Sequence, residues 1–173
     1  MKKTLIIIAI IIMALTTTKK EVISIPKEAI RFRVIANSNN VTDQILKEEI
    51  TNNIYKEFSS LSFKENNIAS IRNDIKSKIP LIEEIVENTI ESKGLKKEYN
   101  IKYGMNYFPE KQYKGILYEE GEYESLVITL GDGLGDNFWC VLFPPLCLLE
   151  AEEKDTSEVE YTSFIKEVLE KYF

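Results

Sequence analysis

A strictly alternating stretch in the second half of the chain sets the strongest limit on the fold. The segment "EYNIKYGMNYF" places an apolar or aromatic side chain at every second position: Tyr99, Ile101, Tyr103, Met105 and Tyr107. This period of two is typical of a β-strand with one buried face, and Pro109 ends the strand because proline cannot donate to a sheet. The chain must therefore contain a sheet in which this strand has partners.

Three other parts of the chain are predicted to supply the partner strands. The segment "EAIRFRVIANSNN" alternates in the same way and stops in turn-forming asparagine and serine residues. A short strand near Tyr113 to Tyr118 is followed by a turn at Glu120-Gly121 and by a strand that aligns Leu126, Ile128 and Leu130. The run "FWCVLF" is continuously apolar, which indicates a strand buried on both faces, and two prolines end it.

Two segments before the alternating stretch have helical spacing. In the first, Thr42 is the predicted N-cap, Asp43 suits the helix dipole, and the apolar positions are Leu46, Ile50, Ile54, Phe58 and Leu61. In the second, the apolar positions are Ile68, Ile71, Ile75, Ile79, Ile82, Ile85, Val86 and Ile90. Pro80 either kinks this helix or opens a new one, and Gly94 is a natural residue to end it.

The glycine-rich segment "GDGLGDN", residues 131–137, joins the last two predicted strands. We predict a hairpin whose glycines supply positive φ. Calcium binding is the first alternative, but it would need more oxygen ligands than Asp132 and Asp136 provide. A phosphate-binding loop would need a following helix, whereas an apolar strand follows here.

These elements predict an α+β fold with a mainly antiparallel sheet of four to five strands and two central helices packed on one face. The acidic link after Glu150 leads to a short C-terminal helix with partly aligned apolar residues: Val159, Phe164, Val168 and Leu169. The predicted organisation is an N-terminal segment (1–20), a main domain (25–150), and the link with the C-terminal helix (151–173).

The first twenty residues have the layout of a signal peptide: two lysines, an apolar run from Leu5 to Leu15, and small hydroxyl residues. The run is shorter than the roughly 20 residues of a membrane-spanning helix. We expect export, followed either by cleavage or by retention as a membrane anchor.

Residues 1–20 hold four of the 22 basic residues and none of the 28 acidic ones, so the remainder has a net charge of −10. Nucleic acid is therefore an unfavoured partner.

The chain contains no histidine. This excludes catalytic triads that use histidine, imidazole zinc sites and histidine pH switches. A cell-wall hydrolase with a carboxylate pair stays possible, although no pair stands out. The acids around the predicted turn, Glu119, Glu120, Glu122 and Glu124, are more simply explained as a solvated run. We expect no cofactor, no metal and no small-molecule substrate.

The two cysteines, Cys140 and Cys147, are separated by six intervening residues in a chain that we expect to be exported. A disulfide is therefore permitted, and by its effect on the entropy of the unfolded chain it would raise the free energy of unfolding by about 2.5 kcal/mol. Their apolar neighbours make a pair of buried free thiols equally reasonable.

A group of polar residues around the first strand and the glycine segment is the candidate surface for recognition of a partner. It comprises Arg31, Arg33, Asn37, Ser38, Asp43, Gln44, Lys47, Asp132 and Asp136. The alternative is structural: Asn37 and Ser38 cap the turn, and the two arginines pair with nearby acids.

Two long segments resemble the stage II sporulation protein R family. They are "IPKEAIRFRVIANSNNVTDQILKEEI", residues 25–50, and "YEEGEYESLVITLGDGLGDNFWCVLFPPLCLLE", residues 118–150. The resemblance implies a protein made in the forespore and exported into the space between forespore and mother cell. There it would activate a membrane-embedded aspartic protease that processes pro-sigma-E. It implies a signalling ligand, not an enzyme, and it supplies no catalytic residues; a membrane-tethered structural septal protein is a further alternative.

Overall fold

The computed structural model describes residues 23–59, 67–113, 115–146 and 158–173. Seven strands lie within these ranges: β1 (Ile23–Ser24), β2 (Ile30–Ile35), β3 (Tyr99–Phe108), β4 (Lys111–Tyr113), β5 (Ile116–Tyr118), β6 (Gly121–Leu130) and β7 (Asn137–Phe143). Three helices accompany them: α1 (Val41–Phe58), α2 (Ile68–Ser92) and α3 (Glu158–Tyr172).

The strands form two sheets. The main sheet has the order β3-β6-β2-β7, with β2 and β6 parallel and the other two pairs antiparallel. The small sheet has the order β1-β5-β4, with one parallel and one antiparallel pair. The predicted α+β class with a mainly antiparallel sheet is confirmed. The strand predicted near Tyr113 to Tyr118 is a hairpin, β4 and β5, that belongs to the small sheet.

The hairpin predicted at the glycine segment is wrong. The strands before and after it, β6 and β7, run antiparallel but do not pair with each other, because β2 lies between them and pairs with both. The segment at residues 131–136 therefore crosses the end of β2. The placement of β2 between β6 and β7 depends on long-range contacts, since β2 lies about a hundred positions earlier in the sequence.

The two central helices cover one face of the main sheet, as predicted, and enclose the larger core. It contains Phe32, Leu46, Ile50, Ile54, Phe58, Ile71, Ile75, Ile82, Val86, Leu126, Ile128 and Leu142 among its buried members.

Helix α1 begins at Val41 with Asn40 as its N-cap, two residues before the predicted cap. Helix α2 runs unbroken through Pro80, and Gly94 follows its end with a φ of +65°, as predicted.

The opposite face of the main sheet carries a second layer that the sequence patterns did not reveal. The small sheet and α3 enclose a second core: Ile25, Ala29, Ile116, Tyr118, Val141, Leu146, Tyr161, Ile165 and Val168. Of the predicted apolar residues of α3, Val168 is buried, and Phe164 and Leu169 are half-buried against this core. Val159 and Leu61 lie outside the residues whose side chains are described. The helix thus packs on the main domain.

Helices long and apolar enough to cross a bilayer do not occur in the described ranges. The predicted export segment, residues 1–20, lies outside those ranges.

Candidate functional site

The ends of β2 and β6 meet at one edge of the main sheet because the two strands are parallel. The chain leaves β2 into the Asn-Ser-Asn-Asn turn and α1, and it leaves β6 into the glycine segment. Residues 36–47 and 131–136 thus come together, and we call this region the Asn-Gly corner. It contains seven of the nine predicted contact residues.

Backbone contacts at the Asn-Gly corner are unusually close. Gly135 donates to the carbonyl of Ala36 (2.8 Å), and Leu134 donates to that of Asn37 (3.0 Å). A Cβ on Gly135 would stand 2.4 Å from the Ser38 carbonyl oxygen, and one on Gly131 would stand 2.2 Å from Asn37 Oδ1. Gly131 and Gly133 have the predicted positive φ, +55° and +64°, but the glycines serve close approach between the two segments and not a hairpin turn.

Two asparagine side chains join the segments. Asn37 accepts from the backbone N–H of Asp132 (3.0 Å) and donates to Asp43 Oδ2 (2.8 Å). Asn39 accepts from the backbone N–H of Asp136 (2.6 Å). The glycine segment is thus held to the turn and to α1 by side chains as well as by backbone.

Asp43 is the centre of this network and is only 2% exposed. Its carboxylate accepts from Asn37, from Ser38 Oγ (2.7 Å) and from Asn40 Nδ2 (3.1 Å), and it pairs with Lys97. Burial alone would raise the pKa of Asp43, but these donors outweigh it and lower the pKa to about 2. The carboxylate is therefore charged at neutral pH, and it fixes the turn.

Gln44 and Lys47 complete the network. Gln44 Nε2 donates to the Ser38 carbonyl (2.9 Å), and Lys47 Nζ donates to Gln44 Oε1 (2.6 Å) and to the Asp136 carbonyl (3.3 Å). Their functional groups are thus engaged inside the corner.

The exposed tip of the corner is formed by other residues. Asp132 and Asp136 are exposed, and Leu134 between them is 79% exposed. On the first turns of α1, Val41 is 74% and Ile45 is 51% exposed. These three apolar side chains were missed by the sequence analysis, although Val41 and Ile45 lie visibly outside the apolar stripe of α1.

Arg31 lies on the other side of the main sheet and is 1% exposed. Its guanidinium stands 3.3 Å from the ring centroid of Tyr123 and within 6 Å of the ring centroids of Phe108 (5.3 Å) and Tyr118 (5.8 Å). The Tyr123 hydroxyl donates instead to the Glu119 carbonyl (3.0 Å). Burial lowers the pKa of Arg31. We call these four side chains the aromatic box.

The predicted receptor role of Arg31 and Asp43 is thus at odds with their burial, because neither side chain reaches the surface in this structure. The alternative in which the arginines pair with acids is not what the described residues show either. Arg33 is half-buried, packs near Trp139 and Phe108, and donates at 3.4 Å to the Tyr107 carbonyl. Contact with a receptor stays a prediction for the whole set.

Three of the four acids around the turn before β6 have hydrogen-bond or ion-pair partners. Glu124 accepts from Arg72 (2.8 Å) and from the Tyr103 hydroxyl (2.7 Å). Glu119 accepts from Ser24 (3.0 Å), and Glu120 from Tyr107 (3.3 Å). In the part of the chain that the structure describes, no group of three or more potential ligands could hold a metal ion.

Cys140 is disulfide-bonded and 6% exposed. The other cysteine in the sequence, Cys147, lies outside the described residues.

Comparison with known proteins agrees with the two long segments noted in the sequence. The family model described as stage II sporulation protein R matches residues 26–153, which include both halves of the Asn-Gly corner. The chain belongs to the stage II sporulation protein R family. A relative, stage II sporulation protein R of Bacillus subtilis (strain 168), is 36% identical over 163 residues, which is 89% of this chain and 73% of the relative. No solved structure matches the chain.

Family membership confirms the resemblance and makes this a stage II sporulation protein. The matched residues contain the main sheet, both central helices and the corner, but not α3, which begins at Glu158. The corner is therefore part of the family's own domain.

Proposed function

We propose that this protein is exported from the forespore and acts as a ligand that activates a membrane-embedded aspartic protease, which then processes pro-sigma-E to active sigma-E. Membership of the stage II sporulation protein R family, over residues 26–153, is the observation that carries the proposal. The signal-peptide layout of residues 1–20 supports it, since an extracytoplasmic ligand must leave the cell that makes it.

The Asn-Gly corner is the surface that we propose for the receptor. Its backbone is held by hydrogen bonds and by close glycine contacts, so little conformational entropy remains to be lost on binding. Its tip presents Leu134 between two aspartates, and Val41 and Ile45 are exposed on the first turns of α1. Exposed apolar side chains with a polar rim are the usual composition of a protein-binding surface.

The network behind the tip explains how buried residues contribute to this role. Asp43, Asn37 and Asn39 have their polar groups turned inward, onto the glycine segment and the start of α1. We assign them to positioning of the tip, and we assign contact with the receptor to Leu134, Asp132 and Asp136.

The experiment is reconstitution in cells that produce this chain, the receptor protease and pro-sigma-E. We expect processing with the full chain and loss of processing when residues 1–20 are removed, because the ligand would then stay on the wrong side of the membrane. A chain that is folded and exported yet causes no processing would contradict the proposal. Turnover assays on peptidoglycan would then test the cell-wall alternative.

A further inference from the structure

Strand β3 forms one edge of the main sheet. It pairs with β6 along all ten of its residues, and within the described ranges no strand lies on its other side. A long edge strand presents a row of free backbone donors and acceptors, which natural proteins usually shorten, bulge or cover. The register with β6 shows no bulge.

The face of β3 that points toward the helices is covered over only half of its length. Tyr99, Ile101 and Tyr103 pack against the larger core. Met105 and Tyr107 continue the same face but are 58% and 55% exposed. The Tyr107 hydroxyl donates to Glu120 (3.3 Å), but the exposed Tyr107 ring and the exposed Met105 side chain remain available for contact on this edge strand.

The sequence of β3 is close to a palindrome in side-chain type. Reading outward from Tyr103 in "YNIKYGMNY", the equivalent positions are Lys102 and Gly104, Ile101 and Met105, Asn100 and Asn106, Tyr99 and Tyr107. When two identical strands pair antiparallel, each residue of one strand lies opposite a residue of the other, and the two residue numbers add up to the same value along the whole pair. If Tyr103 stands opposite itself, every apolar residue faces an apolar residue and every amide faces an amide.

We propose that β3 pairs antiparallel with β3 of a second copy of this chain, with Tyr103 on the two-fold axis. The two main sheets then join into one continuous sheet of eight strands. The helix-covered half of each strand lies beside the exposed half of the other, so Ile101 of one copy covers Met105 of its partner and Tyr99 covers Tyr107. Directly opposed side chains have Cβ atoms about 4.5–5.5 Å apart, which is close enough for these contacts.

The remaining pair of positions fits the same register. Lys102 is the only charged residue within β3, and a like charge directly opposite it would oppose pairing. The proposed register places Gly104 there instead. A Cβ added at Gly104 would have no neighbour within 4 Å among the described residues, so open space is available there for the lysine of the second copy.

Cysteine cross-linking of the full-length chain tests the register. Ile101→Cys and Met105→Cys chains with different tags are purified in mild detergent, mixed, and treated with a short thiol cross-linker. We expect a heterodimer in the mixture and several-fold less homodimer from either variant alone, since only the mixed pair is opposed. Asn52→Cys, on the exposed surface of α1, is the matched control. Equal cross-linking in all samples, or none in the mixture, would overturn the proposal.

Sedimentation of the full-length chain in the same detergent provides an independent measurement. Over a dilution series we expect a monomer–dimer equilibrium that Met105→Arg abolishes and that Leu134→Arg leaves unchanged. Both residues are exposed, so neither variant should unfold the chain. If the two variants sediment alike, whether both as monomers or both as dimers, β3 is not the interface. Pro-sigma-E processing is not a readout here, so the result does not depend on the proposed function.

Discussion

The Asn-Gly corner and the aromatic box each bury a charged side chain, but they satisfy its charge in different ways. The carboxylate of Asp43 accepts hydrogen bonds from three side chains and pairs with Lys97. The guanidinium of Arg31 lies over rings, and its nitrogens have no hydrogen-bond partner among the described residues. Directional bonds fix the geometry of the corner, whereas ring faces accommodate the arginine without fixing what surrounds it.

The charge of Asp43 should therefore stabilise the fold, whereas the charge of Arg31 should not. Removing one partner from a satisfied network leaves the other polar groups buried and unpaired. Removing an unsatisfied charge relieves a desolvation cost. The two regions should therefore respond to substitution with opposite signs.

The largest effect is expected at the centre of the corner. Asp43→Ala leaves Lys97, Asn37 and Ser38 without their acceptor, and we expect it to lower the free energy of unfolding by about 3–5 kcal/mol. Urea denaturation measures this. Asp132→Ala is the matched control, since the Asp132 carboxylate is exposed and should change stability by less than about 0.5 kcal/mol. Equal effects would mean that the network does not hold the corner.

The same carboxylate makes stability depend on pH. The pKa of Asp43 is about 2 in the folded chain, against an ordinary value of 3.8, so its contribution is fully present above about pH 4 and is lost as pH falls toward 2. That contribution is about 2 kcal/mol. Between pH 6 and pH 2, we expect the free energy of unfolding of the wild type to fall by about 2 kcal/mol more than that of Asp43→Asn. Parallel losses in the two proteins would contradict the depressed pKa.

The sequence predicted the core of each helix and the faces of the strands because these depend on local periodicity. The apolar positions chosen for α1 at Leu46, Ile50, Ile54 and Phe58 are all fully or almost fully buried. The cap of α1 was misplaced by two residues because several neighbouring residues can cap a helix, and the choice of Asn40 depends on its bonds to Asp43.

The predictions from the sequence were incomplete or wrong where segments that are distant in the sequence meet in the fold. The alternation of β2 correctly put Arg31 and Arg33 on one face, but it did not show that the small sheet and α3 cover that face. The glycine segment was interpreted as a turn because its partner, β2, is far away in sequence. The exposed tip at Leu134 was missed for the same reason, since an apolar residue between glycines is equally compatible with burial.

Two glycines with similar backbone angles separate conformational strain from close contact. Gly131 and Gly94 have φ of +55° and +65°, but a Cβ would meet Asn37 at the first and, in the part of the chain that the structure describes, no atom within 4 Å at the second. Gly94→Ala should cost about 1–2 kcal/mol from the backbone alone. Gly131→Ala should cost about 1–3 kcal/mol more, since Asn37 must move. Equal losses in thermal unfolding would remove the argument for close packing at the corner.

The aromatic box should respond in the opposite direction. Arg31→Met keeps much of the volume and removes the buried charge, so we expect stability to be unchanged or to rise by about 1 kcal/mol. Arg31→Ala, which leaves a cavity among the rings, serves as the comparison and should be destabilising by about 2 kcal/mol or more. A large loss in the methionine variant would show that the charge itself holds the box together.

The smallest effect on stability is expected at the tip of the corner, where the largest effect on function is proposed. Leu134 is 79% exposed, so Leu134→Asp should change the free energy of unfolding by less than about 0.5 kcal/mol while abolishing pro-sigma-E processing in the reconstituted system. Leu81→Asp, at a residue 36% exposed on α2, is the matched control and should process normally. If both variants process, receptor contact lies elsewhere. If Leu134→Asp alone fails, the rigid corner and its exposed leucine act as one surface: the first holds the shape and the second makes the contact.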